Sequence, residues 1–326
     1  MDRTNFLKGI TADLHEWYWE AADDFYKTSS PAYKKIVTLD STKSIKGPYA
    51  QITSGIAPAT LPEVNPNSEI PTQDSLEGWV VYAKVRKAGH KIMVPYELQR
   101  DFTKVRDFLR SQIEENAPQQ IENTKNKIVA DLFNYGGFTA GHSIFNQDIP
   151  GILSTGYGNY VYDGKPFFNL SGNLRTAKNG ATYYNGAALA LTFDNLVTMS
   201  TLMTGTNAKR EDGTPFDNSK GRILLVPPSL ELTAMQLVNS TLIPGSPNND
   251  VNPLKGAMEV VVCPDLTDTD AWFIVRKEGI KFWVSEPRMK FWTNENNESM
   301  YASVMIDYAI CVKNWRCAVG SNFATA

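Results

Sequence analysis

The sequence predicts an α+β protein, on three observations. Two strand-like stretches, 33–55 and 78–94, write out one long hairpin. A single helical stretch, 98–134, is far longer than any other. The C-terminal half then mixes short apolar strands with helices, without the alternation of a βαβ repeat. With 326 residues the chain exceeds what one core usually organises, so at least two folding units are expected. Hydrophobic residues at 42% and charged residues at 21% are ordinary globular values and exclude a disordered chain.

The first element is a helix over 11–27, because Leu14, Trp17, Tyr18, Ala21, Ala22 and Phe25 recur at helical spacing. Asp13, Glu16, Glu20, Asp23 and Asp24 fill most of the other positions. Such a stripe packs either on its own domain or, as an arm, on a neighbouring subunit, which makes Trp17, Tyr18 and Phe25 candidate inter-subunit contacts. The hairpin follows, with Pro58, Pro62, Pro66 and Pro71 on its tip. Two-stranded ribbons are marginal in water unless a further surface covers them, and the most economical cover is another copy of the chain. The outgoing stem carries Lys34, Lys35, Lys43 and Lys46 against Asp40, net +3, and the return stem Lys84, Arg86, Lys87 and Lys91 against Glu97, again +3. The tip, 56–77, carries Glu63, Glu69, Asp74 and Glu77 and no base, net −4. Complementary charges of this kind fix orientation and register between copies, so Lys43, Lys46, Lys84, Arg86 and Lys87 are further candidate contacts.

In the long helix Phe102, Val105, Leu109 and Ile113 form one stripe and Ile121, Ile128, Val129 and Leu132 another, with Pro118 between them. A helix-interior proline removes a hydrogen bond and bends the rod, so Pro118 is the candidate hinge. Gly136-Gly137 ends the helix. Residues 138–190, rich in Gly, Asn and Tyr, do not divide into elements by pattern. A helix over 192–203, a buried strand over 222–226, a helix over 228–239 and apolar strands over 258–263 and 271–275 come next. The last expected elements are two long strands, 281–292 and 300–312, around the polar turn 293–299.

Chemistry is mostly absent. His15, His90 and His142 lie in no metal-type spacing, and Asp265, Asp268 and Asp270 lack the rest of a calcium loop. No phosphate-cradling loop or nucleophile elbow occurs. No catalytic residue, metal or cofactor is therefore assigned, and an enzyme is not expected. Cys263, Cys311 and Cys317 are an odd number without metal spacing, expected as buried thiols in a reducing compartment. No apolar run approaches the length of a membrane helix, about 20 residues. No signal-peptide core opens the chain. A net charge of −3 leaves no footprint for gripping nucleic acid, so any DNA would be enclosed.

Four segments carry a family resemblance: 92–98 (IMVPYEL) leading through Asp101 into the long helix, 163–168 (DGKPFF), 224–231 (LLVPPSLE), and 259–266 (EVVVCPDL) followed by Ala271-Trp272. In this order they resemble the major capsid proteins of tailed bacteriophages, the Hong Kong 97-type capsid fold, and the C-terminal half is most similar to the Mu-like major head subunit. The resemblance implies an N-terminal arm at 1–32, an extended β-hairpin loop at 33–96, and a peripheral domain with its spine helix and connection at 97–189. It implies an axial domain at 190–280, with 281–326 returning to the peripheral domain and the C-terminus. It further implies a homo-oligomer of hexamers and pentamers around double-stranded DNA, assembled in the host cytoplasm with a separate scaffolding protein, a portal and, in some relatives, decoration proteins, and without a membrane. Two alternatives stay open: an encapsulin-like shell with enzyme cargo, and a β-rich carbohydrate-active enzyme, suggested by the many Trp, Tyr and Asn.

Overall fold

The computed structural model describes residues 16, 19–20, 31–56, 76–94, 104, 107–108, 111–138, 161–243, 250–293 and 299–325. Two five-stranded sheets carry the body.

The outgoing hairpin stretch is not one strand. Ala32–Ile36 is a short helix, α1, that buries Tyr33 and Ile36. Thr38–Ser41, β1, runs parallel to Ile280–Val284, β11, inside the body. A 3-10 turn over Thr42–Ser44 then leads to Tyr49–Ile56, β2, the true outgoing strand. The return stretch is also divided. Leu76–Lys84, β3, pairs antiparallel with β2, whereas Arg86–Val94, β4, pairs antiparallel with Met300–Val312, β13. The strand changes partner at Val85, whose N–H reaches back to the Pro48 carbonyl at 2.9 Å. The hairpin is therefore rooted in a sheet of the body.

Strand β13 is the spine of that first sheet. On one side it pairs with β4; on the other β11 and Arg288–Thr293, β12, lie end to end. The expected single strand 281–292 is thus broken at 285–287, where Pro287 cannot donate to a ladder.

The second sheet has the order β7-β14-β10-β8-β9. Its strands are Gly186–Ala187 (β7), Arg222–Val226 (β8), Glu259–Val262 (β9), Trp272–Arg276 (β10) and Ala318–Ser321 (β14). Strand β8 lies between β9 and β10, so the two apolar strands joined by the turn at 264–270 are not neighbours. The last strand, β14, joins this sheet, which therefore draws on residues beyond 190–280. Its central strands are buried on both faces, which is why they read as unbroken apolar runs. Ile223, Leu225, Phe273 and Val275 face the core shared with the long helix Ala117–Asn134, α2, and with the first sheet. Leu224, Val226, Trp272 and Ile274 pack under two helices, Phe193–Thr201 (α3) and Glu231–Asn239 (α4). Thr192 caps α3, its hydroxyl accepting from the Asn195 N–H at 3.3 Å.

Upstream of α2 the chain makes a wider, π-type turn over Ser111–Asn116. Pro118 is buried in the first turn of α2. A proline ring clashes with the carbonyl four residues earlier, and the wider turn is the relief. The helix ends where Gly136 passes so close to an aromatic ring that a Cβ there would stand 2.5 Å from Phe168. Close approach, not a left-handed backbone, requires glycine at this position.

Residues 161–190 hold what pattern alone left undivided: two short strands, Arg175–Thr176 (β5) and Thr182–Tyr183 (β6), pair with each other. Phe167 and Phe168 join Phe133 and Phe273 in one aromatic group with centroids 4.3–6.1 Å apart. Asn185 ties this segment to β14 by donating to the carbonyls of Phe167 and Ala318, at 3.0 and 3.1 Å.

Candidate assembly interfaces

The hairpin root is anchored by a stack that sequence reasoning missed. Trp79 of β3 lies face to face on Tyr162 at 4.7 Å, and the Lys178 ammonium stands 5.1 Å from the Trp79 ring. The Tyr162 hydroxyl donates to Glu211 Oε1 at 3.1 Å and accepts from Trp315 Nε1 at 3.2 Å. Two guanidiniums lie over Trp315, Arg316 at 4.5 Å and Arg175 at 5.1 Å. Arg316 pairs with Glu211 at 2.8 Å and Arg175 with Asp163 at 2.5 Å, all but Asp163 among the buried residues. Burial pushes the Tyr162 hydroxyl above its ordinary value, with Trp315 opposing. Glu211 opens an acidic turn in the sequence, Glu211-Asp212-Gly213; the structure buries it as a counter-ion. The available signal was Arg316 itself, a lone charge between Trp315 and Cys317.

A second buried group joins α1 to α2. Tyr33 donates to Glu122 Oε2 at 2.8 Å, and Lys125 Nζ meets Glu122 Oε1 at 2.6 Å. The Asn126 Oδ1 accepts from the Tyr33 N–H at 3.3 Å.

The candidate contacts are distributed as follows. Trp17, Tyr18 and Phe25 lie outside the described residues, whereas Glu16 and Glu20 are exposed. Lys43 is exposed and pairs within the chain with Glu286 at 3.0 Å. Lys46 and Lys87 are exposed, and Lys84 and Arg86 are half-buried on either side of the partner change at Val85. Lys87 stands opposite Asp307 on β13. Another stem charge, Asp40, meets Lys281 at 2.9 Å, and this bond holds its carboxyl below the usual range.

Alternation sorts the first sheet into two faces. Ala88, His90, Val304 and Ile306 face α2 across an open cleft of about 200 Å³ that also takes in Gln120 and Thr124. The opposite face sets rows of side chains across β12, β13 and β4: Trp292, Tyr301 and Met93; then Lys290, Ser303 and Lys91; then Arg288, Met305 and Gly89. Trp292 stacks on Tyr301 at 5.6 Å, and the Lys91 ammonium lies 4.7 Å from the Tyr301 ring. Arg288 is paired with Asp307. Trp292 and Met93 remain 41% and 49% exposed, large values for such side chains.

Among the described residues no three metal-ligating side chains gather, and no helix is long and apolar enough to cross a membrane. The three cysteines are free and buried; burial raises Cys263 and pushes Cys311 to about 12 and Cys317 to about 11.

This arrangement, two sheets, a long helix across one of them and a hairpin rooted on the first sheet, is the α+β capsid fold of the Hong Kong 97 type, the fold of shell-building subunits. The family model described as phage capsid protein matches residues 119–321, and the chain belongs to that family. Solved structures agree in fold. The capsid of Ralstonia phage GP4 is 10% identical, with 85% of this chain and 82% of that chain covered and a TM-score of 0.52. The capsid of the cyanophage P-SCSP1u is 10% identical over 91% of this chain and 89% of that chain, with a TM-score of 0.51. A virus-like particle from Pyrococcus furiosus is 9% identical over 94% and 98%, with a TM-score of 0.50. No curated protein sequence matches the chain.

Proposed function

We propose that this capsid protein is the major head subunit of a tailed phage, forming hexamers and pentamers of an icosahedral shell that encloses double-stranded DNA. The observation that carries the reading is the phage capsid match over 119–321, the part of the chain that holds α2 and most of both sheets. The hairpin supports it, because among its described residues the packing on the body lies at the root, through Trp79, Val81 and Ala83, and a two-stranded ribbon needs a further covering surface. A net charge of −3 suits enclosure, since a shell that gripped its genome would slow packaging. Of the divisions expected from the resemblance, the extended loop is kept for 49–84, since β1 and β4 belong to the first sheet, and the axial region takes in β7 and β14 besides 190–280; a separate scaffolding protein and a portal complete the assembly in the host cytoplasm. A second reading, a shell with protein cargo, draws on the likeness to the Pyrococcus furiosus virus-like particle. Nuclease-treated particles separate the two. Protected double-stranded DNA supports the phage head, and a protein cargo without nucleic acid overturns it.

A further inference from the structure

We propose that Asn179-Gly180, in the turn between β5 and β6, is a modification site at which the chain deamidates itself, and that the product loosens the root of the hairpin. The chain has two Asn-Gly pairs, 179–180 and 185–186, and the fold treats them in opposite ways. Deamidation requires the backbone nitrogen of the following residue to attack the carboxamide carbon, and glycine, with no Cβ, leaves that approach open. Asn179 and Gly180 are both exposed. The Asn179 Oδ1 accepts from the Ala181 N–H at 3.0 Å, which turns the carboxamide back over the Gly180 peptide and polarises the carbonyl to be attacked. The Gly180 N–H donates to the Ala177 carbonyl at 2.9 Å, a bond of an exposed turn that opens locally. Asn185 is fully buried instead. Its Oδ1 accepts from the Asn169 N–H at 2.9 Å, and its Nδ2, the group that would leave, donates to the carbonyls of Phe167 and Ala318. The second pair is held in place and shut off from water.

In the step itself the Gly180 nitrogen bonds to Asn179 Cγ, the Cγ–Nδ2 bond breaks, and the glycine proton leaves with the amide nitrogen as ammonia. Water then opens the cyclic imide at either carbonyl, giving aspartate or isoaspartate, so that a water is gained and an ammonia lost. Either product disturbs what the turn holds. The Asn179 N–H donates to the Glu211 carbonyl and the Lys178 N–H to Glu211 Oε2, both at 3.1 Å. Asn179 Nδ2 lies so close to Gly213 that a Cβ there would stand 2.7 Å from it. A carboxylate in this position adds a like charge beside Glu211 and Asp212, and the isoaspartyl form also adds a methylene to the main chain of a tight turn. Glu211 is the counter-ion of Arg316 and the acceptor for Tyr162, on which Trp79 of β3 stacks. The Lys178 ammonium stands over the same Trp79 ring. The turn is thus joined through Glu211 and Lys178 to the strand that carries the hairpin.

The test ages the purified full-length protein in mildly alkaline buffer made with water enriched in heavy oxygen, and maps its peptides by mass spectrometry. The expected result is Asn179 converted to aspartate and isoaspartate, each carrying a heavy oxygen, with Asn185 intact; in denaturant both convert. Asn179 intact in the folded chain while it converts in denaturant, or Asn185 converting as fast as Asn179, overturns the site, and aspartate without isoaspartate overturns the attack by Gly180. Asn179→Asp provides the second arm, because it supplies the carboxylate from the start. Amide hydrogen exchange over Leu76–Lys84 is expected to run roughly fivefold faster in this variant, and in aged protein, than in fresh protein, while Trp272–Arg276 keeps its protection. Equal rates over Leu76–Lys84 overturn the coupling to the hairpin root. Both readouts are made on the chain whether or not it has assembled, so they stand apart from the shell reading.

Discussion

Glu122 is the residue on which the junction of α1 and α2 depends most. Its carboxylate accepts from Tyr33 and faces Lys125, all three buried. Removing one member of such a pair leaves the other charge without compensation, so Glu122→Gln is expected to destabilise the dissociated chain by about 3–5 kcal/mol. Tyr33→Phe removes only one hydrogen bond to a charged group, about 1.5–3 kcal/mol. Denaturant midpoints check the order; equal, negligible losses would show that the junction holds without this pair. The cysteines give a second expectation. The thiolate is the reactive form, and burial keeps Cys311 and Cys317 protonated to about 12 and about 11. At pH 8 an alkylating reagent should label none of the three in the folded chain and all three in denaturant. Because the folded thiols hold their protons above the ordinary value of 9.0, they favour the fold below that pH, and this contribution declines as pH rises towards about 12. Rapid native labelling would contradict the burial.

At the scale of elements, Pro118 lies in the first turn of α2 and not in the helix interior where a hinge was expected. The π-type turn over 111–116 immediately precedes α2, which fits a ring that displaces the carbonyl four residues back. Pro118→Ala is expected to restore regular hydrogen bonding there and straighten the helix in assembled particles. The same helix path in mutant and wild-type reconstructions would remove proline from the role of hinge. The elements were legible where one physical signal dominated. Strands β8 and β10, α3 and α4 were readable because their apolar runs and periods are bounded by Pro227-Pro228, Thr192 and similar punctuation. The hairpin was legible as a pair of strands but not in its partners, because the stretch stays strand-like through Val85, and only the shift of its inward positions from Val81 and Ala83 to Ala88, Ile92 and Val94 marks the change. Segment 161–190 was opaque for a different reason: its order comes from side chains bonding to carbonyls, Arg175 to that of Phe167 within the segment and Asn185 to that of Ala318 far along the chain, which no local period records. The Trp79–Tyr162 anchor of the hairpin root could not be read either, since it joins residues distant in sequence.

At the scale of the whole molecule, function resides in surfaces that repeat from copy to copy. Exposed ion pairs are worth only ~0–1 kcal/mol each, yet a shell repeats each one at every contact. The stem lysines and arginine should therefore govern early association, with the acidic arm bearing Glu16 and Glu20 as first candidate partner. Lys84, Arg86 and Lys87 reversed to Glu is expected to reduce assembly and to invert its salt response, because screening at ~3 Å near 1 M weakens attraction and repulsion alike. An unchanged yield across a salt series would mark these charges as a solvated face. The most direct test of the account is the state of the purified chain, followed by electron microscopy and mass measurement across a concentration series. Capsomers or closed shells are the expected species, because the exposed Trp292 and Met93 and the two-stranded hairpin call for neighbours. A single monomeric species at every concentration, under conditions where phage heads persist, would contradict it.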